Sequence, residues 1–287
     1  MSLVPMNDLV KKAYRQGYAV PAFCAWNAEV IEAILSSAEK LRAPVILMSG
    51  PGEFPVLAPA VMAAVSYALA ARHDVPAALH LDHGDSLQMV RDCVEARYTS
   101  VMLDFSAKPF EENVAGLQEV VKLARPKGIT VEGEIGKIGK ADEVTAEGGA
   151  TAGPASAFTD PAQAAEYVRR TGVDLLAVSV GNKHGFYRGD PHLEFGLLSE
   201  LKAAVSVPLV MHGGTGIPEK DIRRSVGLGI AKVNVASELV HGFRGSLTAQ
   251  WQEGRNLWTP IACGEAAKII GPVVEKWIRV TGAEGRA

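Results

Sequence analysis

Eight short apolar segments recur along the chain, and stretches with helical periodicity separate them. Most of these segments are continuous hydrophobic runs rather than alternations of apolar and polar residues. Continuous runs are typical of parallel strands that are covered on both faces. The pattern therefore predicts eight strands, at residues 18–23, 43–49, 77–82, 100–105, 130–135, 175–180, 207–212 and 231–236.

Capping residues mark the start of several helices between these strands. The candidate caps, with the helical stretches they precede, are Asn27 (28–41), Asp85 or Ser86 (87–96), Asp160 with Pro161 (162–171) and Pro218 (219–226). Strand and helix alternating eight times predict an α/β protein, a (β/α)8 TIM barrel, with residues 1–287 as one domain. An open doubly wound sheet is the alternative. The eight repeats and the lack of G-x-G-x-x-G after the first strand argue against it.

Composition limits the class of partner. The net charge is −3, with 29 basic and 32 acidic residues interspersed, and 48% of the residues are hydrophobic. We therefore expect neither nucleic acid nor an anionic membrane as a main partner. The apolar segment 56–71 is Ala-rich and short for a bilayer span, so it predicts a buried helix instead. No signal peptide is evident in residues 1–20.

Three cysteines, Cys24, Cys93 and Cys263, show no C-x-x-C spacing. An odd, scattered set of thiols is typical of a reducing compartment, so we expect a cytoplasmic protein. We also expect a homo-oligomer, either a dimer or a tetramer.

Histidines and carboxylates lie where the predicted strands end. His83, His184 and His212 follow three different strands, and Asp104 and Glu134 end two more. Because the carboxyl ends of barrel strands share one face, these side chains should converge there as a metal site. Nitrogen and carboxylate ligands favour Zn²⁺, with Co²⁺, Mn²⁺ or Fe²⁺ as alternatives. Three protein nitrogens would leave a coordination position open for substrate.

The other histidines are interpreted as residues that do not bind metal or substrate. His80 lies two residues before Asp82 on the same side of its strand, and we expect it to pack or to support the site. His73 is expected to be a solvated charge at the end of a helix. His192 and His241 have no strand-end context, so they are interpreted as structural.

Glycines beside two of these histidines suit a phosphate. Gly185 follows His184, and Gly213 and Gly214 follow His212. Backbone N–H groups left open by glycine can bind anionic oxygen atoms.

Ordered motifs over most of the chain resemble the class II, metal-dependent ketose-bisphosphate aldolases of the fructose- and tagatose-bisphosphate type. The matching segments are 18–23 (YAVPAF), Asp82-His83, 102–106 (MLDFS), 131–136 (VEGEIG), 171–174 (TGVD), 182–185 (NKHG), 212–218 (HGGTGIP) and 232–238 (KVNVASE). The ordered set is specific, although each piece alone is weak.

The resemblance implies a role for each matched residue. His83, His184 and His212 would bind Zn²⁺, with Glu134 as an alternative ligand and Asp104 at a second cation site, divalent or monovalent. Asp82 would be the acid/base of carbon–carbon cleavage. The substrate would be a phosphosugar, cleaved reversibly through a metal-stabilised enediolate to dihydroxyacetone phosphate and an aldehyde. The phosphate would lie in a cradle formed by Gly185, Gly213, Gly214, Thr215, Asn234, Val235, Ala236 and Ser237.

Departures from the family pattern cluster on the side of the aldehyde. Cys24 stands where the family usually has Asn, and Gly50 where it has Ser or Thr. In the long loop 136–157, which we expect to close as a lid, Asp142 and Glu143 replace the usual acidic motif as candidate bases. Val240 stands where a basic residue often binds the second phosphate. These changes predict an aldehyde half without that phosphate.

Other functions fit the residues less well. A fructose- or tagatose-1,6-bisphosphate aldolase is one alternative, and a non-catalytic phosphosugar-binding relative is another. A metal-dependent barrel hydrolase would carry paired histidines on the first strand, and residues 18–23 have none. Imine chemistry is disfavoured because no sixth-strand lysine is suitably placed, and Lys183 adjoins a candidate ligand.

Overall fold

A closed barrel of eight parallel strands forms the centre of the protein in the computed structural model, which describes residues 3–140, 158–187 and 189–287. The order around the barrel follows the chain and closes between the first and last strands. The barrel strands are β1 (Val20–Cys24), β2 (Val45–Ser49), β3 (Ala77–Gly84), β4 (Ser100–Leu103), β5 (Thr130–Ile135), β6 (Leu175–Val178), β7 (Leu209–Met211) and β8 (Ile230–Val235). The predicted fold class is confirmed.

Helices cover the outside of the barrel. Those described are α1 (Met6–Gln16), α2 (Ala28–Lys40), α3 (Pro59–Ala70), α4 (Leu87–Glu95), α5 (Phe110–Ala124), α6 (Pro161–Thr171), α7 (Phe195–Ala204), α8 (Glu219–Gly227), α9 (Ser237–Gln252), α10 (Thr259–Ala267) and α11 (Ile270–Val280). Almost every residue of the barrel strands is buried, which explains why most of these strands are continuous apolar runs in the sequence.

Three predicted caps are present as hydrogen bonds. The side chains of Asn27, Ser86 and Asp160 accept from the backbone N–H groups at the starts of α2, α4 and α6. Of the two candidates for α4, Ser86 is therefore the cap. Pro218 precedes α8 as its N-cap residue and makes no side-chain cap.

Helix α3 differs from its prediction. The segment 56–71 was expected to be a buried helix, but α3 buries only one face, at Met62, Ala63, Ser66 and Ala70. Val61 on the other face is 49% exposed. An Ala-rich helix on the outside of a barrel needs only one apolar face, so high hydrophobicity did not indicate full burial. Among the described residues, no helix is both long and apolar enough to cross a membrane.

Candidate active site

Three imidazole rings converge at the carboxyl ends of the barrel strands. His83 lies near the end of β3, His212 directly follows β7, and His184 belongs to a short strand, Lys183–His184, that pairs with Gly139–Lys140 outside the barrel. Their ligand nitrogens all lie within 4.8 Å of one another. His83 adopts a left-handed backbone with φ of 47°, which is uncommon for a residue other than glycine.

Carboxylates fix the orientation of two of these rings. Asp104 Oδ2 lies 2.8 Å from His83 Nδ1, and Glu132 Oε1 lies 2.9 Å from His212 Nε2. A carboxylate accepts, so each ring places its proton on that side and turns a lone pair toward the other ring. The two facing nitrogens, His83 Nε2 and His212 Nδ1, are 2.9 Å apart. Two lone pairs at this separation repel unless a cation lies between them, so the donor set fits a divalent metal ion.

A second donor group shares one of these rings. His83, Asp104 and Glu134 also offer ligand atoms within 4.8 Å of one another. Glu134 Oε2 is buried and has no hydrogen-bond partner among the described residues, and it lies 3.6 Å from His212 Nδ1. Burial, followed by the neighbouring Asp104 charge, raises the pKa of Glu134 well above its usual range. A metal ion would compensate for the energetically unfavourable burial of this carboxylate.

Asp104 differs from Glu134 in its environment. Burial alone would raise the pKa of Asp104, but the hydrogen bonds from His83 and Ser106 outweigh it and hold that pKa below the usual range. Asp104 is therefore ionised, and its direct contact is with the ring of His83.

A buried ion pair lies beneath the site. Lys232 Nζ on β8 is 3.0 Å from Glu132 Oε2 on β5, and both side chains have no exposed surface. His80, also fully buried, contacts Ser100 Oγ at 2.8 Å, as expected of a supporting residue. Burial followed by the Lys232 charge lowers the pKa of His80 far below its usual value, so the ring is neutral.

The sequence analysis gave no role to Glu132 or Lys232. A signal was available, because a charged residue within an apolar strand must find an internal partner. Glu132 and Glu134 are two residues apart on β5 and therefore share one side of the strand.

A small cavity of about 20 Å³ adjoins the imidazoles. The predicted cradle residues among its lining are Gly185, Gly213, Thr215, Asn234, Ala236 and Ser237. Thr215 Oγ1 is buried and has no hydrogen-bond partner among the described residues, so it is available to a ligand. Ser237 begins the 16-residue helix α9, whose N-terminus favours anions.

Two predicted cradle residues do not line this cavity. Gly214 donates its backbone N–H to the carbonyl of Asn234 at 3.0 Å, which braces the loop. Val235 is fully buried at the end of β8.

Gly213 has φ of 64°, and a Cβ atom there would lie 2.1 Å from the Lys183 carbonyl oxygen. Only glycine therefore fits at Gly213.

A larger cavity, of about 370 Å³, is lined by His83 and His184 among other residues. Asp82 and His184 line both cavities. Asp82 accepts a hydrogen bond from Asn234 Nδ2 at 3.0 Å, and its side chain is 15% exposed. Asp82 therefore lies between the two cavities, where a substrate spanning both would have its reacting carbons.

Two of the positions that depart from the family pattern, Cys24 and Gly50, line the larger cavity together with Glu53. Glu53 Oε2 accepts from the Gly50 backbone N–H at 2.8 Å, and Oε1 lies 3.6 Å from Cys24 Sγ. Burial raises the pKa of Glu53 above its usual value. A Cβ atom at Gly50 would lie 2.3 Å from the carbonyl oxygen of Asp82, so the strand ends approach too closely for any side chain there.

Comparison with known proteins agrees with this geometry. The family described as class-II fructose-bisphosphate aldolase matches residues 4–286. The chain belongs to this family. It is an aldolase, a carbon–carbon lyase of carbohydrate metabolism, as the sequence analysis predicted.

Individual relatives show how far the similarity extends. The D-tagatose-1,6-bisphosphate aldolase subunit GatY of Klebsiella oxytoca is 39% identical over 287 residues, covering 100% of both chains. The crystal structure of the YdjI aldolase from Escherichia coli K12 superposes with a TM-score of 0.86 at 32% identity, covering 99% of each chain. The fructose-bisphosphate aldolase of Campylobacter jejuni shares the fold, with a TM-score of 0.82 at 22% identity, covering 100% of this chain and 97% of the other.

Three histidines interpreted from the sequence lie outside the active site. His73, expected to be solvated, is only 7% exposed and lies between Glu39, at 2.9 Å, and Glu32, at 3.3 Å. That expectation was wrong because the contacts come from α2, distant in sequence. The exposed His192 pairs with Glu194, and His241 contacts the ring of Phe186.

Part of the predicted lid cannot be compared with the structure. Asp142 and Glu143 lie outside the described residues. At the start of the predicted lid, Lys137 and Ile138 line the larger cavity.

Proposed function

We propose that this chain is a Zn²⁺-dependent aldolase that cleaves a ketose 1-phosphate to dihydroxyacetone phosphate and an aldehyde without a second phosphate. The observation that carries the proposal is the arrangement of the two cavities. A small, glycine-lined cavity and a larger, acidic one share Asp82 and His184, and the ring of His184 converges with those of His83 and His212. The polar lining of the first suits the phosphate end of a substrate, and the second has room for a longer uncharged unit.

The metal would be held by His83, His184 and His212, with Glu134 as an alternative ligand and Asp104 near a second or monovalent cation. When bound, the ion supplies a Lewis acid that polarises the ketone carbonyl and offsets the negative charge developed on cleavage. Asp104 and Glu132 hold two of the rings in the tautomers that direct a lone pair inward. Lys232 Nζ lies 3.0 Å from Glu132 Oε2 and so holds the Glu132 side chain in place beside His212.

Asp82 is the group proposed to move the proton. Its carboxylate lies at the junction of the cavities, next to the proposed ligand His83. The amide of Asn234 holds Oδ1, which fixes the side chain. In the cleavage direction Asp82 takes the proton of the hydroxyl on the carbon that becomes the aldehyde. In the reverse direction, aldol addition, it returns that proton. Asp142 and Glu143 remain candidates for the proton transfer at the carbon of the dihydroxyacetone phosphate half.

The small cavity would bind the phosphate. Thr215 Oγ1 and the start of α9 at Ser237 can donate to its oxygen atoms, with the backbone N–H groups of Gly185 and Gly213 beside them. Fixing this end of the substrate positions the reacting carbons against Asp82.

A second candidate function is cleavage of tagatose 1,6-bisphosphate. The 39% identity to GatY over the full length favours it. The acidic lining of the larger cavity opposes it, because a second phosphate placed there would face carboxylates.

Aldol addition of dihydroxyacetone phosphate to a panel of phosphorylated and unphosphorylated aldehydes tests both functions. We expect addition products with unphosphorylated aldehydes and loss of activity in a strong chelator. Cleavage of bisphosphates with kcat/KM at or above about 10⁴ M⁻¹s⁻¹, an ordinary enzyme's efficiency, would favour the second candidate. No product with any aldehyde would instead support a phosphosugar-binding protein.

A further inference from the structure

Acidic side chains outnumber basic ones in the larger cavity. Among the described residues that line it, the acidic ones are Glu53, Asp82, Asp85, Asp104 and Glu134, and Lys137 is the basic one. Asp82, Asp104 and Glu134 lie around the imidazoles, where a divalent ion would offset their charge. Glu53 and Asp85 are not part of that cluster. Their charge therefore acts on whatever fills the distal part of the cavity.

The turn after β2 holds Glu53 in place. The Glu53 and Phe54 backbone N–H groups donate to the carbonyl of Gly50 at 3.1 and 3.3 Å. The ring of Phe54 contacts Tyr98 edge-on, with centroids 6.3 Å apart, and Tyr98 in turn hydrogen-bonds Ser49 at 2.8 Å. These contacts anchor the turn to the barrel, so the Glu53 carboxylate has a defined position.

One carboxylate oxygen of Glu53 is committed and the other is not. Oε2 accepts the short hydrogen bond from the Gly50 N–H group, whereas among the described residues Oε1 has the long contact to the Cys24 thiol as its hydrogen bond. Cys24 and Gly50 lack the polar side chains that the family usually carries there. Glu53 is thus the strong polar group on this wall, and it is an acceptor.

We propose that Glu53 is a specificity-determining residue: its carboxylate accepts a hydrogen bond from a hydroxyl of an uncharged aldehyde half and repels an anionic one. The inference rests on the proposed aldolase function and adds the residue responsible for the choice. A hydroxyl donating to Oε1 gains a charge-assisted bond, while a phosphate beside the same oxygen adds only repulsion. The substrate class is a ketose 1-phosphate with a neutral polyhydroxylated tail.

Glu53→Gln separates this role from a purely structural one. The glutamine carbonyl oxygen can still accept from the Gly50 N–H group, so the turn is retained. The other atom changes from a charged acceptor to an NH₂ donor, which favours a phosphate and disfavours a hydroxyl donor. Glu119→Gln is the matched control, because the same chemical change falls on the exposed face of α5.

The probes are dihydroxyacetone phosphate with glyceraldehyde, which is uncharged, or with glyceraldehyde 3-phosphate. The wild-type enzyme should have the higher kcat/KM for glyceraldehyde. Glu53→Gln should shift the ratio of the two kcat/KM values toward the phosphorylated aldehyde by about ten- to a hundredfold, the weight of one hydrogen bond to a charged group. KM for dihydroxyacetone phosphate should not change, and Glu119→Gln should keep the wild-type ratio.

Three results would overturn the inference. One is an unchanged ratio in a folded, metal-loaded Glu53→Gln enzyme. Another, which requires no variant, is a wild-type preference for glyceraldehyde 3-phosphate. The first would leave the proposed function intact, whereas the second would leave the aldolase activity intact but would favour the bisphosphate as substrate. The third is a wild-type enzyme that forms no addition product with either aldehyde, which would overturn the proposed function together with the role of Glu53.

Discussion

Replacing Glu132 by glutamine should strongly destabilise the barrel, because Glu132 is the partner of a buried cation. Glu132 Oε2 and Oε1 lie 3.0 and 3.2 Å from Lys232 Nζ, and neither side chain has any exposed surface. Glu132→Gln keeps the shape and the contact with His212 but removes the charge. The ammonium group of Lys232 would then lie in the barrel interior without a counter-ion.

The size of the effect follows from burial. Removing one partner of a buried ion pair costs about 3–5 kcal/mol, since the other charge stays desolvated and uncompensated. At about 2.1 cal/mol/K per residue, a chain of 287 residues unfolds with an entropy near 0.6 kcal/mol/K. The melting temperature should therefore fall by about 5–8 °C. Metal affinity should fall by about ten- to a hundredfold, as for other groups that orient a ligand histidine.

Thermal unfolding in excess chelator measures the change in melting temperature without a contribution from bound metal. Competition with a chromophoric chelator measures the change in metal affinity. The control is Glu111→Gln, which also breaks an ion pair, to Arg170 at 2.6 Å, but at an exposed position. Because solvent screens that pair, the control should leave the melting temperature nearly unchanged. The double variant Glu132→Gln/Lys232→Met removes both partners and should be more stable than Glu132→Gln alone.

Two outcomes would refute this reasoning. One is that Glu132→Gln has the same melting temperature as the wild type in chelator, which would mean that the ion pair does not contribute to stability as its burial implies. The other is that the double variant loses as much stability as Glu132→Gln and Lys232→Met lose together when measured separately. The two side chains would then act independently, and the 3.0 Å contact would carry no coupling energy.

Further predictions concern the metal, the proton, the phosphate and the lid. Protein purified without chelator should contain one divalent ion per chain by elemental analysis; His184→Ala should lose it, and full activity without metal would contradict the site. Asp82→Ala should keep metal and fold yet lose roughly two to four decades in kcat, measured by aldol cleavage, and an active variant would remove its assignment. Gly213→Ala should raise KM for dihydroxyacetone phosphate, since its Cβ would lie 2.1 Å from a carbonyl oxygen. Gly128→Ala, with a similar φ of 69° and open space, is the control and should not. Protease cleavage within residues 136–157 should slow when a substrate analogue binds, and equal cleavage would argue against a lid.

The predicted elements succeeded where the signal was local. Each of the eight predicted segments overlaps a barrel strand. The helices begun by Asn27, Ser86 and Asp160 were found because each has a side-chain cap. The helices that the sequence analysis did not identify begin without a side-chain cap hydrogen bond: α1, α5, α7, α9, α10 and α11. Packing against the barrel and against neighbouring helices, not a local start signal, accounts for these helices.

The sequence alone determined the barrel and the set of residues at its catalytic face. Parallel strands end on one face of a barrel, so knowing that His83 and His212 end strands suffices to bring them together. Which atoms meet depends on strand register and loop path, which no local pattern records. Only the tertiary structure pairs Lys232 with Glu132, 100 residues apart, turns two imidazole lone pairs toward each other, and brings Glu53 Oε1 to 3.6 Å from Cys24 Sγ. These contacts join distant segments, and their energies exist only once the barrel has closed.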